Sequence, residues 1–275
     1  MADVQQIIQQ LANPAKSGAA FKALSEMGPK AADALFVALT DRNEVIRRQA
    51  VTLLGNTKDP RAIQPLMKLT ADLPKQIQNA ALAALGCYTN EPRVAEFLRQ
   101  FARGKGEPDT RVSAIFALGR AAGKDTAQEV WLEMLNDSSP QMVINAASQL
   151  ATAKQPATVK PLLAALERAG EGSMAFTFLV RALGDLGDKR AFEALAGCLK
   201  ASEPFKRAAA AHALGKLGDP RAIDVLEALK GDKAVAGQED HGGPSYTVGD
   251  MAAQAIAAIR KVNNMPEPKS RWKFW

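Results

Sequence analysis

Few residues in this chain could do bond chemistry. Histidine occurs twice, as His212 and His241, and cysteine twice, as Cys87 and Cys198. His241 closes the run Glu239-Asp240-His241, which could touch a metal, but three adjacent residues in a Gly-rich loop make a weak site. The two cysteines lie far apart and add no ligand cluster. Cys87, just after Leu85-Gly86, reads either as a reactive thiol or as a small residue at a helix end. Cys198, among Ala196, Gly197 and Leu199, reads as packing. No Gly-rich phosphate loop, nucleophile elbow or catalytic lysine signature occurs. The expectation is therefore no catalytic residue, no metal and no cofactor, with enzymatic activity disfavoured.

Residues suited to recognition are more plentiful. Phe116, Phe178 and Phe205 recur beside Arg120, Arg181, His212 and Lys216. Exposed aromatic rings with arginine nearby are typical of interface hot spots. The alternative is that these rings tuck between helices. A second set lies at the C-terminus, where Arg271, Trp272, Phe274 and Trp275 interleave bulky rings with positive charge. Pro266 and Pro268 disfavour a helix through the start of that tail. It could cap the last hydrophobic layer, dock in a partner's groove, or make a peripheral contact with an anionic membrane.

The elements that position these residues are written as a repeat. Leu214-Gly215-Lys216-Leu217-Gly218-Asp219-Pro220-Arg221-Ala222-Ile223 has counterparts at Leu183–Phe192 and Leu54–Ile63. A marker leucine returns at Leu54, Leu85, Leu118, Leu150, Leu183 and Leu214, in steps of about 31 to 33 residues. Within the unit, the Leu-Gly pair is expected to end one helix, with glycine taking the left-handed conformation. Asp then caps the next helix, and Pro fits its first turn because it lacks a donor that would be orphaned anyway. Ala, Ile and Leu at helical spacing supply an apolar face.

The repeat implies about eight helix pairs, from Asp3–Leu11 with Ser17–Met27 to Asp219–Leu229 with Val248–Lys261. With the first helix of each pair called A and the second B, aligned B helices show apolar columns: Ile46/Ile77/Thr110/Met142/Ala175/Lys206, Ala50/Ala81/Ala114/Ala146/Leu179/Ala210 and Val51/Leu82/Ile115/Ala147/Val180/Ala211. With the marker leucines these are the expected core. A second stripe, carrying Phe116, Phe178, Phe205, Arg120, Arg181, His212 and Lys216 among Gln, Asn, Ser and Thr, is expected to face away from it. Trp131, between Val130 and Leu132, is assigned to the core. The predicted fold is all-α without strands: a right-handed α-solenoid, an alpha-alpha superhelix of the armadillo/HEAT-like kind. It spans residues 1–263, interrupted by an insertion at 231–247, with a separate tail at 264–275. A solenoid grows in one dimension, so 275 residues need not split into two globules.

The motif Leu-Gly-x-x-x-Asp-Pro-Arg-Ala-Ile resembles the bacterial HEAT-like repeats of the phycobilisome-lyase type, over about Asn13 to Val262. Relatives of that type include bilin lyases, a diiron hydroxylase and scaffolds. The resemblance implies that the B helices line the concave side. It also implies a structural Asp–Arg ladder: Asp41 with Arg47, with Asp72 and Asp137 in the Asp column and Arg111 and Arg207 in the Arg column. Gln78 and Val143 break that ladder. The diiron hydroxylase's His-Glu pairs are absent, since Ala213 follows His212 and Gly242 follows His241.

Composition bounds the partner. The formal charge is +6, with 35 Lys and Arg against 29 Asp and Glu, too mild and too mixed for a nucleic-acid surface. No stretch approaches the roughly 20 apolar residues of a membrane span, and the first residues lack the features of a signal peptide. A reducing, cytoplasmic setting is expected from the lone cysteines. The reading is a non-enzymatic scaffold that binds a protein or peptide on its concave B-helix face. The alternative is a bilin-lyase-like subunit or chaperone acting on a tetrapyrrole-carrying protein.

Overall fold

A computed structural model of the chain describes residues 4–71, 74–238 and 245–266. The chain forms two compact units, residues 1–130 and 131–275, with the boundary inside one helix.

The first unit contains α1 (Val4–Gln10), α2 (Ser17–Met27), α3 (Ala32–Ala38), α4 (Glu44–Thr57), α5 (Ile63–Leu69), α6 (Lys75–Leu85), α7 (Pro92–Arg103), α8 (Pro108–Ala122) and the start of α9 (Lys124–Met134). The second contains the end of α9, then α10 (Pro140–Ala153), α11 (Val159–Ala169), α12 (Phe176–Leu186), α13 (Phe192–Cys198), α14 (Pro204–Leu217), α15 (Ala222–Glu227) and α16 (Val248–Val262). Odd-numbered helices are the A helices and even-numbered ones the B helices. The eight expected pairs are thus all present.

The A helices start as the motif dictates. Asp59, Asp188 and Asp219 are extended or turn residues whose carboxylates accept from the main-chain N–H of Arg61, Arg190 and Arg221 at 2.9, 3.0 and 3.0 Å. That satisfies an N–H with no partner inside the helix. Pro60 then opens a short 3₁₀ turn, Pro60–Ala62, that feeds α5. The same arginines fold back onto their aspartates and onto the preceding repeat. Arg61 reaches Asp33 at 3.0 Å, and the guanidinium of Arg221 lies 4.2 Å from the centre of the Phe192 ring.

The B-helix columns form the core within each unit. Leu54, Leu85, Leu118, Leu183 and Leu214 are fully buried, as are Ala50, Ala81, Ala114, Ala146 and Ala210. Trp131 is buried too. Burying a leucine side chain in such a layer contributes about 1.5–3 kcal/mol.

The Leu-Gly pair ends a helix at α6, which stops at Leu85 with Gly86 as a right-handed cap residue, but the expectation fails in other repeats in an informative way. Helix α4 continues past Gly55 to Thr57, α12 past Gly184 to Leu186, and α14 past Gly215 to Leu217. The left-handed residues come three positions later, at Lys58, Gly187 and Gly218. The glycine after the marker leucine is needed for proximity instead. A Cβ on Gly55 would stand 2.7 Å from the Cβ of Ala84, and one on Gly215 would stand 2.9 Å from the Cα of Ala255. Neighbouring B helices approach at these points, and α10 uses Ala151 at the same place.

The Asp–Arg ladder also takes another form. Nη1 of Arg47 donates to the main-chain carbonyls of Asp41 and Arg42, at 2.7 and 3.0 Å, while the Asp41 carboxylate accepts from the Asn43 N–H. Arg207 repeats this on Ala201 and Ser202 and adds an ion pair with Asp232 at 2.9 Å. Each guanidinium thereby satisfies carbonyls of the turn between an A helix and its B helix. Gln78 does the same service for Thr70. Val143 cannot, and Arg168 from α11 supplies the Leu135 carbonyl at 2.8 Å. Asp72 lies outside the described residues.

The expected absence of strands is corrected by the insertion. Val235–Gln238 forms β1 and Ser245–Thr247 forms β2, an antiparallel pair with an irregularity between Val235 and Gly237. β-Branched Val235 and Thr247 favour extended backbone, and the Tyr246 ring lies over Gly237 where a side chain would collide. The Thr247 hydroxyl and Asp250 carboxylate then form a reciprocal cap that starts α16. Glu239, Asp240 and His241 lie outside the described residues.

Candidate functional site

The second B-helix stripe is exposed. Phe178 is 42% exposed, Phe205 44% and Phe116 47%, so none of the rings tucks between helices as a core residue would. Their backbone positions follow from helix periodicity. Phe176 and Phe178 are two residues apart on α12, and only Phe176 turns into the core.

In the second unit the structure brings Phe178, Arg181 and Lys216 to one groove of about 650 Å³. Its remaining walls are Ser148, Ala151, Thr152 and Lys154 from the end of α10, with Ala182, Gly184 and Asp185 from α12. The close approach of α12 to α14 at Gly184 brings Lys216 into the same groove as Arg181 and Asp185. Lys154 enters because it ends α10 in a left-handed conformation, at the position that Gly187 and Gly218 occupy in later repeats. Sequence reasoning missed that placement; a lysine, as at Lys58, where the two later repeats use glycine was the available signal.

His212 lies close enough to feel this groove. Burial lowers its pKa below the ordinary histidine value. Lys216 and Arg181 lower it further, and Asp185 opposes them. Burial and the two cations thus favour the neutral imidazole.

Other expected site residues are placed differently. Phe205 sits at the start of α14, outside the groove lining, with the Lys206 ammonium 5.3 Å from its ring centre. Lys206 is itself buried and paired with Glu203. Phe116 and Arg120 belong to the first unit. Arg120 is exposed, yet its Nη2 donates to the Ala83 carbonyl at 2.9 Å, and its guanidinium lies against Gly86. It ties α8 to α6 rather than projecting as a free cation. Arg271, Trp272, Phe274 and Trp275 lie outside the described residues, so the tail's three readings remain expectations.

Among the described residues, no three His, Cys, Asp or Glu side chains gather where they could hold a metal ion. No described helix is long and apolar enough to cross a membrane. The Cys198 thiol is pushed up to about 11, chiefly by burial and then by nearby Glu171, which suits the packing role expected of it. Cys87 is partly exposed at the end of α6.

Comparison with known proteins places the fold. The family described as HEAT repeats matches residues 3–86, 95–172 and 178–237. Among solved structures, the chain is similar to Kap121p bound to Nup53p, at 15% identity and a TM-score of 0.60, over 92% of this chain and 32% of that one. It thus spans about a third of that protein, and the likeness is one of fold. It is also similar to human deoxyhypusine hydroxylase in complex with glycerol, at 22% identity over 94% and 96% of the two chains, with a TM-score of 0.38. A third similarity is to the CpcE and CpcF complex of phycocyanin lyase from Nostoc sp., at 20% identity over 65% and 96%, with a TM-score of 0.30. No curated protein sequence matches the chain.

Proposed function

This chain belongs to the HEAT-repeat family, and we propose that it is a non-enzymatic scaffold whose B-helix face takes a protein or peptide partner. The observation that carries this reading is the groove at Phe178, Arg181 and Lys216. A large ring is left in water beside cations while Phe176, two residues away, is buried. Side chains that do not serve the core yet gather in one groove are candidates to serve an interface. Kap121p, which shares the fold, has been solved bound to Nup53p, an instance of a solenoid of this architecture carrying a partner.

The test is affinity purification from the native cell with the full chain and with the double variant Phe178→Ala, Arg181→Ala. The expected result is loss of specifically bound proteins with little change in melting temperature, because both side chains are exposed. The same bound proteins on the double variant would remove this face from consideration. A sharp fall in melting temperature would return Phe178 to the core.

A further inference from the structure

The groove of the second unit has a charge pattern that specifies a partner more narrowly, and a partner of that kind presupposes the scaffold role proposed for the B-helix face. Its cations come one from each of three successive B helices: Lys154 at the end of α10, Arg181 on α12 and Lys216 on α14. Among the described residues, none of the three has a hydrogen-bond acceptor or an ion-pair partner, and Asp185, in the same groove, pairs with none of them. The arginines of the repeat turns behave otherwise. Arg61, Arg190 and Arg221 are each held by an aspartate at 2.6–2.8 Å, and Arg207 by Asp232 at 2.9 Å. Three cations against one carboxylate leave the groove net positive.

We infer that this groove recognises an acidic, extended peptide segment of a partner protein, with a carboxylate about every third residue and an apolar side chain against Phe178. The spacing comes from geometry. Adjacent packed helices stand about 8–10 Å apart, and an extended chain in the polyproline II conformation advances about 3.1 Å per residue and presents every third side chain on one face. Such a segment laid across α10, α12 and α14 therefore offers one carboxylate to each helix it crosses. Carboxylates are the complement because each cation lacks an acceptor of its own. Lys216 and Arg181 also act on His212 as cations, adding to burial in lowering its pKa.

A nucleic acid fits less well. Its phosphates would need an uninterrupted positive track, and Asp185 interrupts this one. The walls also include Ala151, Ala182 and the Phe178 ring, which give an apolar side chain a place that a phosphate backbone does not use.

The experiment uses the full chain and fluorescence anisotropy with four labelled probes. The first is a peptide with Glu at every third position and Leu or Phe between. The second and third replace Glu by Gln and by Lys, and the fourth is a single-stranded oligonucleotide. The Glu peptide is expected to bind best and to weaken with salt. The double variant Arg181→Gln, Lys216→Gln should weaken it by about tenfold. Both side chains are exposed, so the variant's unchanged thermal melt by circular dichroism is the control for folding. Equal binding of the Gln peptide, lost in Phe178→Ala, would overturn the acidic preference while leaving the B-helix face as a peptide site. Tighter binding of the oligonucleotide than of the Glu peptide would overturn the choice of partner. Binding of none of the peptides would overturn the inference, and the native-cell purification then decides separately whether the scaffold reading falls with it.

Discussion

A Cβ placed on Gly184 of α12 would stand 2.6 Å from the Cα of Ala213 on α14, closer than any side chain tolerates. The glycine therefore sets how near two B helices come, and through that how Lys216 meets Arg181. Gly184→Ala is expected to cost about 1–3 kcal/mol, as overpacking does. Gly187→Ala should cost about 1 kcal/mol for another reason, the left-handed backbone at φ 71°. Gly197, helical and with nothing near its missing side chain, should gain about 0.5–1 kcal/mol on change to Ala. Urea denaturation of the three variants checks the order; equal losses at Gly184 and Gly197 would show that proximity is not what Gly184 supplies.

The two phenylalanines of α12 should part company on truncation. Phe176 is 6% exposed, and Phe176→Ala is expected to cost about 3–5 kcal/mol. Phe178→Ala should change stability by about 1 kcal/mol or less. Chemical denaturation of each variant measures the difference, and similar losses at both positions would contradict the outward placement of Phe178.

Acid should weaken the repeat turns. The bound guanidiniums of Arg61, Arg190 and Arg221 hold the carboxyls of Asp59, Asp188 and Asp219 below the ordinary aspartate range. A folded-state pKa below the unfolded value of about 3.9 means stability that is complete above that pH and lost as pH falls through the lowered value. Asp219→Ala should cost about 0.5–2 kcal/mol at neutral pH through the lost cap. Asp219→Asn should cost less there, because an amide oxygen still caps, and should flatten part of the acid limb. Stability measured by denaturation from pH 7 down to about pH 2 tests the sign; stability rising as pH falls below the aspartate range would refute it.

Thiol chemistry should be slow at Cys198. With its pKa near 11, little thiolate forms at pH 8. In a Cys87→Ala background, alkylation of Cys198 in the folded chain is expected to lag that of the same thiol in denaturant by more than about tenfold. Equal rates would mean that the thiol is not held in the protonated form.

Local pattern alone determined most of the fold. Helical spacing marks which face of each B helix is apolar, so the columns from Leu54 to Leu214 and the caps at Asp59, Asp188 and Asp219 were legible residue by residue. The family resemblance was legible for the same reason, because a repeat writes its local rules several times. The second stripe was legible as a face, since Phe178, Arg181 and Lys216 share the position that the core leaves unused. Tertiary packing decided the rest, because it depends on what each residue meets in another repeat. The sequence marks a glycine after every marker leucine except Leu150, but only the neighbouring helix shows whether it ends a helix or admits Ala84, Ala213 or Ala255. Arg47 and its Asp41 are six residues apart in sequence, yet the main-chain carbonyls of the turn between α3 and α4 decide where the guanidinium goes. Arg120 reads like Arg181 until the Ala83 carbonyl claims it. Lys154, silent in the pattern, joins the groove only because the turn after α10 is left-handed and α12 packs beside it.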